Sequence, residues 1–159
     1  MTNRIGINMY RKGVGAVIIN SAGKIFVGER RDVAGEWQMP QGGLDGDEEL
    51  ELAIFRELKE EVGTDKFEII AKTDWLRYEL PTDFRKNFWG GKYIGQEQVW
   101  FFLRFTGNDN DFNLNADSHP EFAQWQWVES SVVLERITEF KRDVYEQIIE
   151  FGRVNKIIV

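Results

Sequence analysis

The sequence predicts a mixed α/β fold in one domain, and three observations predict it. Runs rich in β-branched and aromatic residues recur along the chain, the strongest from Glu97 to Phe105 (EQVWFFLRF). From Glu48 to Glu61 strong helix formers continue without Pro or Gly, and Gly63 follows as a stop. Near the C-terminus Val133, Ile137, Phe140, Val144, Ile148 and Phe151 recur at spacings of three and four, the period of an amphipathic helix. A chain of 159 residues is long enough for one core, and a 42% hydrophobic share is globular rather than disordered composition.

Composition also excludes classes. A formal charge of −7 argues against a cation-coated surface for duplex binding, while leaving a few Arg or Lys able to hold one phosphorylated end. Disulfides and thiolate metal sites are excluded because there is no Cys. No run approaches the ~20 apolar residues of a membrane span. The N-terminus lacks the build of a signal peptide, so a soluble cytoplasmic protein is expected.

In chain order, Gly13–Ile19 (GVGAVII) predicts a strand, Asn20–Gly23 a turn, and Lys24–Arg30 (KIFVGER) the returning strand of a hairpin. Gly13-x-Gly15 lacks the third Gly and the helix of a nucleotide loop, which leaves tight strand packing as its use. Arg30 and Arg31 close the hairpin, and neighbours on a strand face opposite ways, so one of them faces any site and the other faces away. Trp37–Pro40 is a short extended piece leading to the turn at Gln41-Gly42-Gly43. After the acidic helix, Phe67–Asp74 and Trp75–Leu80 read as strands.

Pro81–Gly95 mixes Phe84, Phe88, Trp89 and Tyr93 with Arg85, Lys86 and Lys92. That is the composition either of a surface that stacks bases and holds phosphates, or of a long loop pinned to the core by its aromatics. Glu97–Phe105 reads as a central strand, Gly107–Asp111 as a turn, and Glu121–Val128 as a strand with Trp125 and Trp127 on one face. One closing helix is expected from Ser130 or Ser131 to Gly152. His119, the sole histidine, has no second His or Cys to complete a zinc site and is expected in a turn.

Chemistry concentrates at the end of the acidic helix. At about 100° per residue Glu57, Glu60 and Glu61 share one arc, beside an apolar arc of Ile54, Phe55, Leu58 and Val62. Like charges three and four apart repel, and Lys59 is the one cation among them. A Glu-rich helix end serves many proteins as a solvated face. A hard divalent cation, which takes oxygen ligands and shares them with phosphates, turns the repulsion into attraction.

Gly42, Glu48, Arg56-Glu57-Leu58, Glu60-Glu61 and Gly63 fit G-x5-E-x7-R-E-U-x-E-E-x-G-U, where U is a bulky aliphatic, so the stretch resembles the Nudix box. Thr64 departs from it, standing where an aliphatic is usual. Tyr10-Arg11 with Gly13-Val14-Gly15, Trp37 through Gly43, Trp75-Leu76-Arg77-Tyr78, Ile94-Gly95-Gln96, Pro120-Glu121-Phe122 and Phe140 through Tyr145 further resemble the bacterial RNA pyrophosphohydrolase family. Members of that family are also described as dinucleoside polyphosphate hydrolases and, in some pathogens, as invasion-associated protein A. The resemblance covers about residues 10–151. It departs at Lys12, where Pro is usual, and at Gly46-Asp47, where Pro-Gly is common.

The resemblance implies an α/β/α sandwich with a mixed β-sheet, and hydrolysis of a nucleoside diphosphate linked to another group. It places Glu57, Glu60, Glu61 and Glu121 at the metal and the reacting bond, Glu121 as either a ligand or the base. The implied cofactor is Mg2+, with Mn2+ or another divalent cation as the alternative. Arg56 pairs with Glu48, and Gly42 and Gly63 shape the box. Gln41 and Gly42 border the substrate, Arg30 or Arg31 lies near its phosphates, Tyr78 near the first nucleotide, and Phe140 with Lys141 near the second. The expected substrate is a 5′-phosphorylated RNA end, the alternative a diadenosine tetra- or pentaphosphate. A non-catalytic nucleotide-binding module is the remaining reading, and the intact Glu57, Glu60 and Glu61 argue against it.

Overall fold

The computed structural model describes residues 9–159. Strand β1 (Tyr10–Ile19) turns into β2 (Ile25–Arg30) at Asn20, whose side chain accepts the amides of Ala22 at 3.0 Å and Lys24 at 2.9 Å. Two short strands, β3 (Trp37–Gln38) and β4 (Gln41–Gly43), bring the chain to helix α1 (Leu50–Val62). Strands β5 (Phe67–Lys72), β6 (Leu76–Glu79), β7 (Gly95–Phe105) and β8 (Phe122–Val128) follow. Helices α2 (Ser130–Arg136) and α3 (Glu139–Val154) close the fold.

Strands β1 and β7 run parallel from Tyr10 beside Gly95 to Ile19 beside Arg104. The other pairings are antiparallel, so the sheet is mixed, in the order β3-β2-β1-β7-β5 with β4 on β1, β6 on β7 and β8 on β2. Alternation along the long strands feeds two cores. Val14, Ala16 and Ile18 with Val99, Phe101 and Leu103 pack on Ala53, Ile54, Leu58 and Val62 of α1. On the opposite face Val17, Trp100 and Phe102 pack on Val144, Tyr145 and Ile148 of α3. Burial on both faces is why β7 is continuously apolar from Val99 to Leu103 rather than alternating. The result is the α/β/α sandwich with a mixed sheet that the resemblance implied.

Gly13 and Gly15 serve packing, as their sequence context suggested: a Cβ at Gly13 would strike the carbonyl of Gly42, and one at Gly15 the indole of Trp100. Thr64 is buried without an aliphatic side chain because its hydroxyl accepts the amide of Lys66 at 3.2 Å. His119 lies exposed in the irregular segment before β8.

The closing region differs from the single helix expected. Ile137 and Thr138 are extended, with ψ of 145° and 147°, and split it into α2 and α3. The apolar spacing runs unbroken across the kink because both helices bury the same stripe, but α2 packs on β2 and β3 while α3 packs on β6. Arg142 of α3 donates to the carbonyl of Leu134 at 3.2 Å, satisfying one acceptor at the end of α2. Nor does Gly152 end the helix, which continues to Val154. Gly152 instead lets α3 lie against Phe102 and Ile158, both within 2.9 Å of where a Cβ would stand. No helix among the described residues is long and apolar enough to cross a membrane.

Candidate active site

Helix α1 aims its last turns at the end of the sheet where β4 crosses. It stops where predicted: Gly63 adopts a left-handed φ of 79°, and its amide returns to the carbonyl of Leu58 at 3.1 Å. Gly42 of β4 lies so close over Glu57 that a Cβ there would occupy the space of the carboxylate. Arg56 latches loop to helix. It donates to both carboxylate oxygens of Glu48 at 2.8 and 2.9 Å, to the carbonyl of Gly43 at 3.0 Å and to Glu57 at 3.0 Å. With its hydrogen bonds from Arg56 and the Asp45 amide, the Glu48 carboxyl is held down to about 2.

These elements wall an open cleft of about 370 Å³. Its lining includes the carboxylates Glu57, Glu60, Glu61 and Glu121 together with Arg30, Gln41, Gly42, Tyr78, Phe140 and Lys141. Every site residue singled out in the sequence for metal or substrate therefore borders one space, except Arg31. The arginine pair divides at the end of β2, where the register is irregular between Glu29 and Arg30 and Arg31 lies beyond the strand. Arg30 faces the cleft, fastened to Asp32 at 2.6 Å and Glu36 at 3.3 Å, whereas Arg31 reaches away to Asn115 at 3.1 Å and the carbonyl of Phe122 at 3.3 Å. Phe140 both packs against the core and lines the cleft, its ring 6.0 Å from that of Tyr78.

Sequence reasoning missed Arg11, Gln38 and Gln96 as lining residues. Strand register joins two of them to Tyr78: Arg11 lies beside Gln96, and Gln96 beside Tyr78. Arg11 donates to Gln96 at 3.2 Å, and the Gln96 amide donates to the Tyr78 hydroxyl at 2.5 Å. Gln38 accepts from the buried Lys141 amine at 3.1 Å. The signal available in the sequence was parity: Arg11 falls on the same side of β1 as Gly13, whose close neighbour is Gly42 at the cleft.

Burial and crowding set the electrostatics. Glu61 is buried, and burial followed by the charges of Glu57 and Glu121 pushes its carboxyl well above the usual range. Burial lifts Glu57 to about 7, the charge of Glu60 adding to the rise and Arg56 opposing it. Burial, then the charge of Arg30, lowers the Lys141 amine to about 8. Among the described residues, Oε2 of Glu61 and Oε1 of Gln41 are buried without a hydrogen-bond partner.

Those orphaned oxygens and the all-oxygen donor set fit a hard divalent cation. Among the described residues the carboxylates do not already converge as a cage of three. They surround an open space, the arrangement suited to a cation that keeps water and shares oxygens with a phosphate.

A family model described as NUDIX domain matches residues 9–148. The "RNA pyrophosphohydrolase" of Rhodospirillum rubrum is 48% identical over 141 residues, covering 88% of this chain and 85% of the relative. That of Gluconacetobacter diazotrophicus is 45% identical over 157 residues, covering 92% and 94%. Among solved structures, E. coli dihydroneopterin triphosphate pyrophosphohydrolase superposes with a TM-score of 0.69 at 20% identity, covering 87% of this chain and 96% of that one. A C. elegans Ap4A hydrolase binary complex gives 0.64 at 21%, covering 89% and 96%. At such identities the structural likeness establishes the fold.

Proposed function

This chain belongs to the NUDIX domain family, and we propose that it is a Mg2+-dependent hydrolase that converts the 5′-triphosphate or diphosphate of an RNA to a 5′-monophosphate. The observation that carries the reading is a single cleft lined by four carboxylates and by the cations and aromatics Arg30, Lys141, Tyr78 and Phe140. Support comes from relatives named RNA pyrophosphohydrolase that are 45% and 48% identical over most of their length. We take residues 1–159 as one catalytic domain acting in the cytoplasm, where such RNA is found.

The family uses divalent cations, and the hard oxygen donors here favour Mg2+, with Mn2+ as its nearest substitute. Glu57, Glu60 and Glu61 hold it, with Glu121, whose charge acts on Glu61, a fourth carboxylate of the cleft for metal or proton. Bound there, the cation neutralises phosphate oxygens and lowers the pKa of the attacking water. Water adds to a phosphorus of the chain, the P–O bond to the leaving group breaks, and pyrophosphate or phosphate departs from the RNA. Arg30 and Lys141 bear the phosphate charge, Gln41 and Gly42 border the polyphosphate, and Tyr78 and Phe140 offer stacking faces to the nucleotides. Arg56 and Glu48 stand behind the reaction and keep the loop before α1 in place.

The test is turnover of 5′-triphosphorylated RNA and of diadenosine tetraphosphate with Mg2+, beside an E60Q control. Monophosphorylated RNA and pyrophosphate are expected at the higher kcat/KM, with activity lost in E60Q. Cleavage of the dinucleotide alone would replace the RNA reading with that of a dinucleoside polyphosphate hydrolase. Undiminished hydrolysis by E60Q would remove the carboxylate cluster from the reaction.

A further inference from the structure

Between β6 and β7 the chain makes an excursion over residues 81–93 whose ends are pinned together, the amide of Leu80 donating to the carbonyl of Ile94 at 2.7 Å. The excursion is a closed Ω-loop, packed by its own side chains. Phe88 and Trp89 have ring centres 5.7 Å apart, Trp89 and Tyr93 6.1 Å, and Phe84 reaches Phe140 at 6.3 Å. Phe88 and Trp89 line the cleft, yet the reaction proposed above uses neither.

The backbone aims the indole. Trp89 has a φ of 48°, a conformation that a bulky residue holds only where its surroundings impose it, and Gly90 and Gly91 follow at 68° and 76°. The Arg11 guanidinium lies 5.2 Å from the indole centre, against the cleft wall. Charge on the loop reverses that of the protein: Arg85, Lys86 and Lys92 stand against the single acid Asp83 in a chain of net charge −7. Arg85 is committed to Glu79 and the carbonyl of Leu80, whereas Lys86 and Lys92 are exposed.

We infer that the 81–93 loop is a specificity element for single-stranded RNA, with Trp89 stacking a base of the strand and Lys86 and Lys92 engaging its phosphodiester backbone. The inference rests on the RNA reading of the cleft and deepens it. A strand that continues past the terminal nucleotides meets the loop with further bases and phosphates, whereas a dinucleoside polyphosphate has no diester linkage to offer Lys86 or Lys92. Stacking faces interleaved with cations are how single strands are held without sequence preference, and the loop thereby favours RNA over a compact dinucleotide.

The experiment compares wild type, W89A, W89F and K86Q/K92Q in three measurements. These are hydrolysis of a short 5′-triphosphorylated oligonucleotide, hydrolysis of diadenosine tetraphosphate, and anisotropy-read binding of the 5′-monophosphorylated oligonucleotide with Mg2+ over a salt series. W89A is expected to raise KM for the RNA and Kd for the monophosphorylated strand by about ten-fold or more. Its loss on the dinucleotide should be about ten-fold smaller, and W89F should restore most of the RNA activity. K86Q/K92Q should make the dependence of log Kd on log salt shallower by about 1.4. Equal losses on both substrates, or no loss of RNA binding in W89A, would overturn the stacking role, and an unchanged salt slope would overturn the backbone contacts. Failure of wild type to hydrolyse the RNA would instead refute the activity proposed above, while the binding series would still read the loop.

Discussion

Glu57 makes the metal-free protein less stable as pH rises toward neutrality. Burial, with the charge of Glu60, outweighs Arg56 and lifts its carboxyl from 4.5 to about 7 in the folded state. Below about pH 4.5 the group is protonated in both folded and unfolded chains and carries no penalty. Between there and about pH 7 the unfolded chain releases a proton that the folded chain keeps, so stability falls by up to about 1.4 kcal/mol per pH unit. Above the folded value the loss is complete, at about 3 kcal/mol for the whole interval. Glu57→Gln removes that titration. Urea unfolding in chelator should therefore show E57Q close to wild type near the acid end and about 3 kcal/mol more stable above pH 7. Burial raises Glu61 first and the charge of Glu57 adds to it, so E57Q also relieves part of that shift, and the difference between the two curves keeps the same sign. With Mg2+ present the order should narrow or reverse, because a ligand of the folded state stabilises wild type. A difference independent of pH, or growing toward acid, would refute the assignment of a buried, crowded carboxyl to this position.

Three further outcomes are expected. Gly42→Ala places a methyl group in the space of the Glu57 carboxylate, so on the proposed role of Glu57 in holding the metal kcat should fall on the order of a hundred-fold, read by RNA turnover. Arg56→Met frees the Glu48 carboxylate and the carbonyl of Gly43; denaturant unfolding should show a loss of about 2–3 kcal/mol, the scale of a hydrogen bond to a charged group. Tyr145→Phe leaves the Met39 amide, which now donates to the buried hydroxyl at 2.9 Å, without a partner. Thermal unfolding should register about 1–3 kcal/mol.

Local rules made much of the architecture legible. Gly63 announced the end of α1 because a left-handed terminus favours a residue without Cβ. The run Glu97–Phe105 announced a central strand, and Gly13 and Gly15 announced tight strand packing, while their partners, the Gly42 carbonyl and the Trp100 indole, came only with the structure. The helix stripe through Phe151 was read correctly as the buried face, but periodicity is blind to two extended residues that preserve the phase. Ile137 and Thr138 break the helix because α2 and α3 answer to different strands.

For the site, the sequence by itself determined the chemistry: carboxylates at helical spacing, an arginine to latch the loop, and two glycines where side chains would obstruct. Tertiary structure alone decided which groups meet. The irregular end of β2 brought Arg30 to the cleft and left Arg31, past the strand, reaching Asn115 and the carbonyl of Phe122, which local sequence does not specify. The register of three strands set Arg11, Gln96 and Tyr78 in one hydrogen-bonded row although they are far apart in the chain. Burial, which belongs to no residue type, raised Glu57 and Glu61 and lowered Lys141. A sequence specifies which charges exist, but the low-dielectric surroundings that govern their ionisation form only when distant segments pack together.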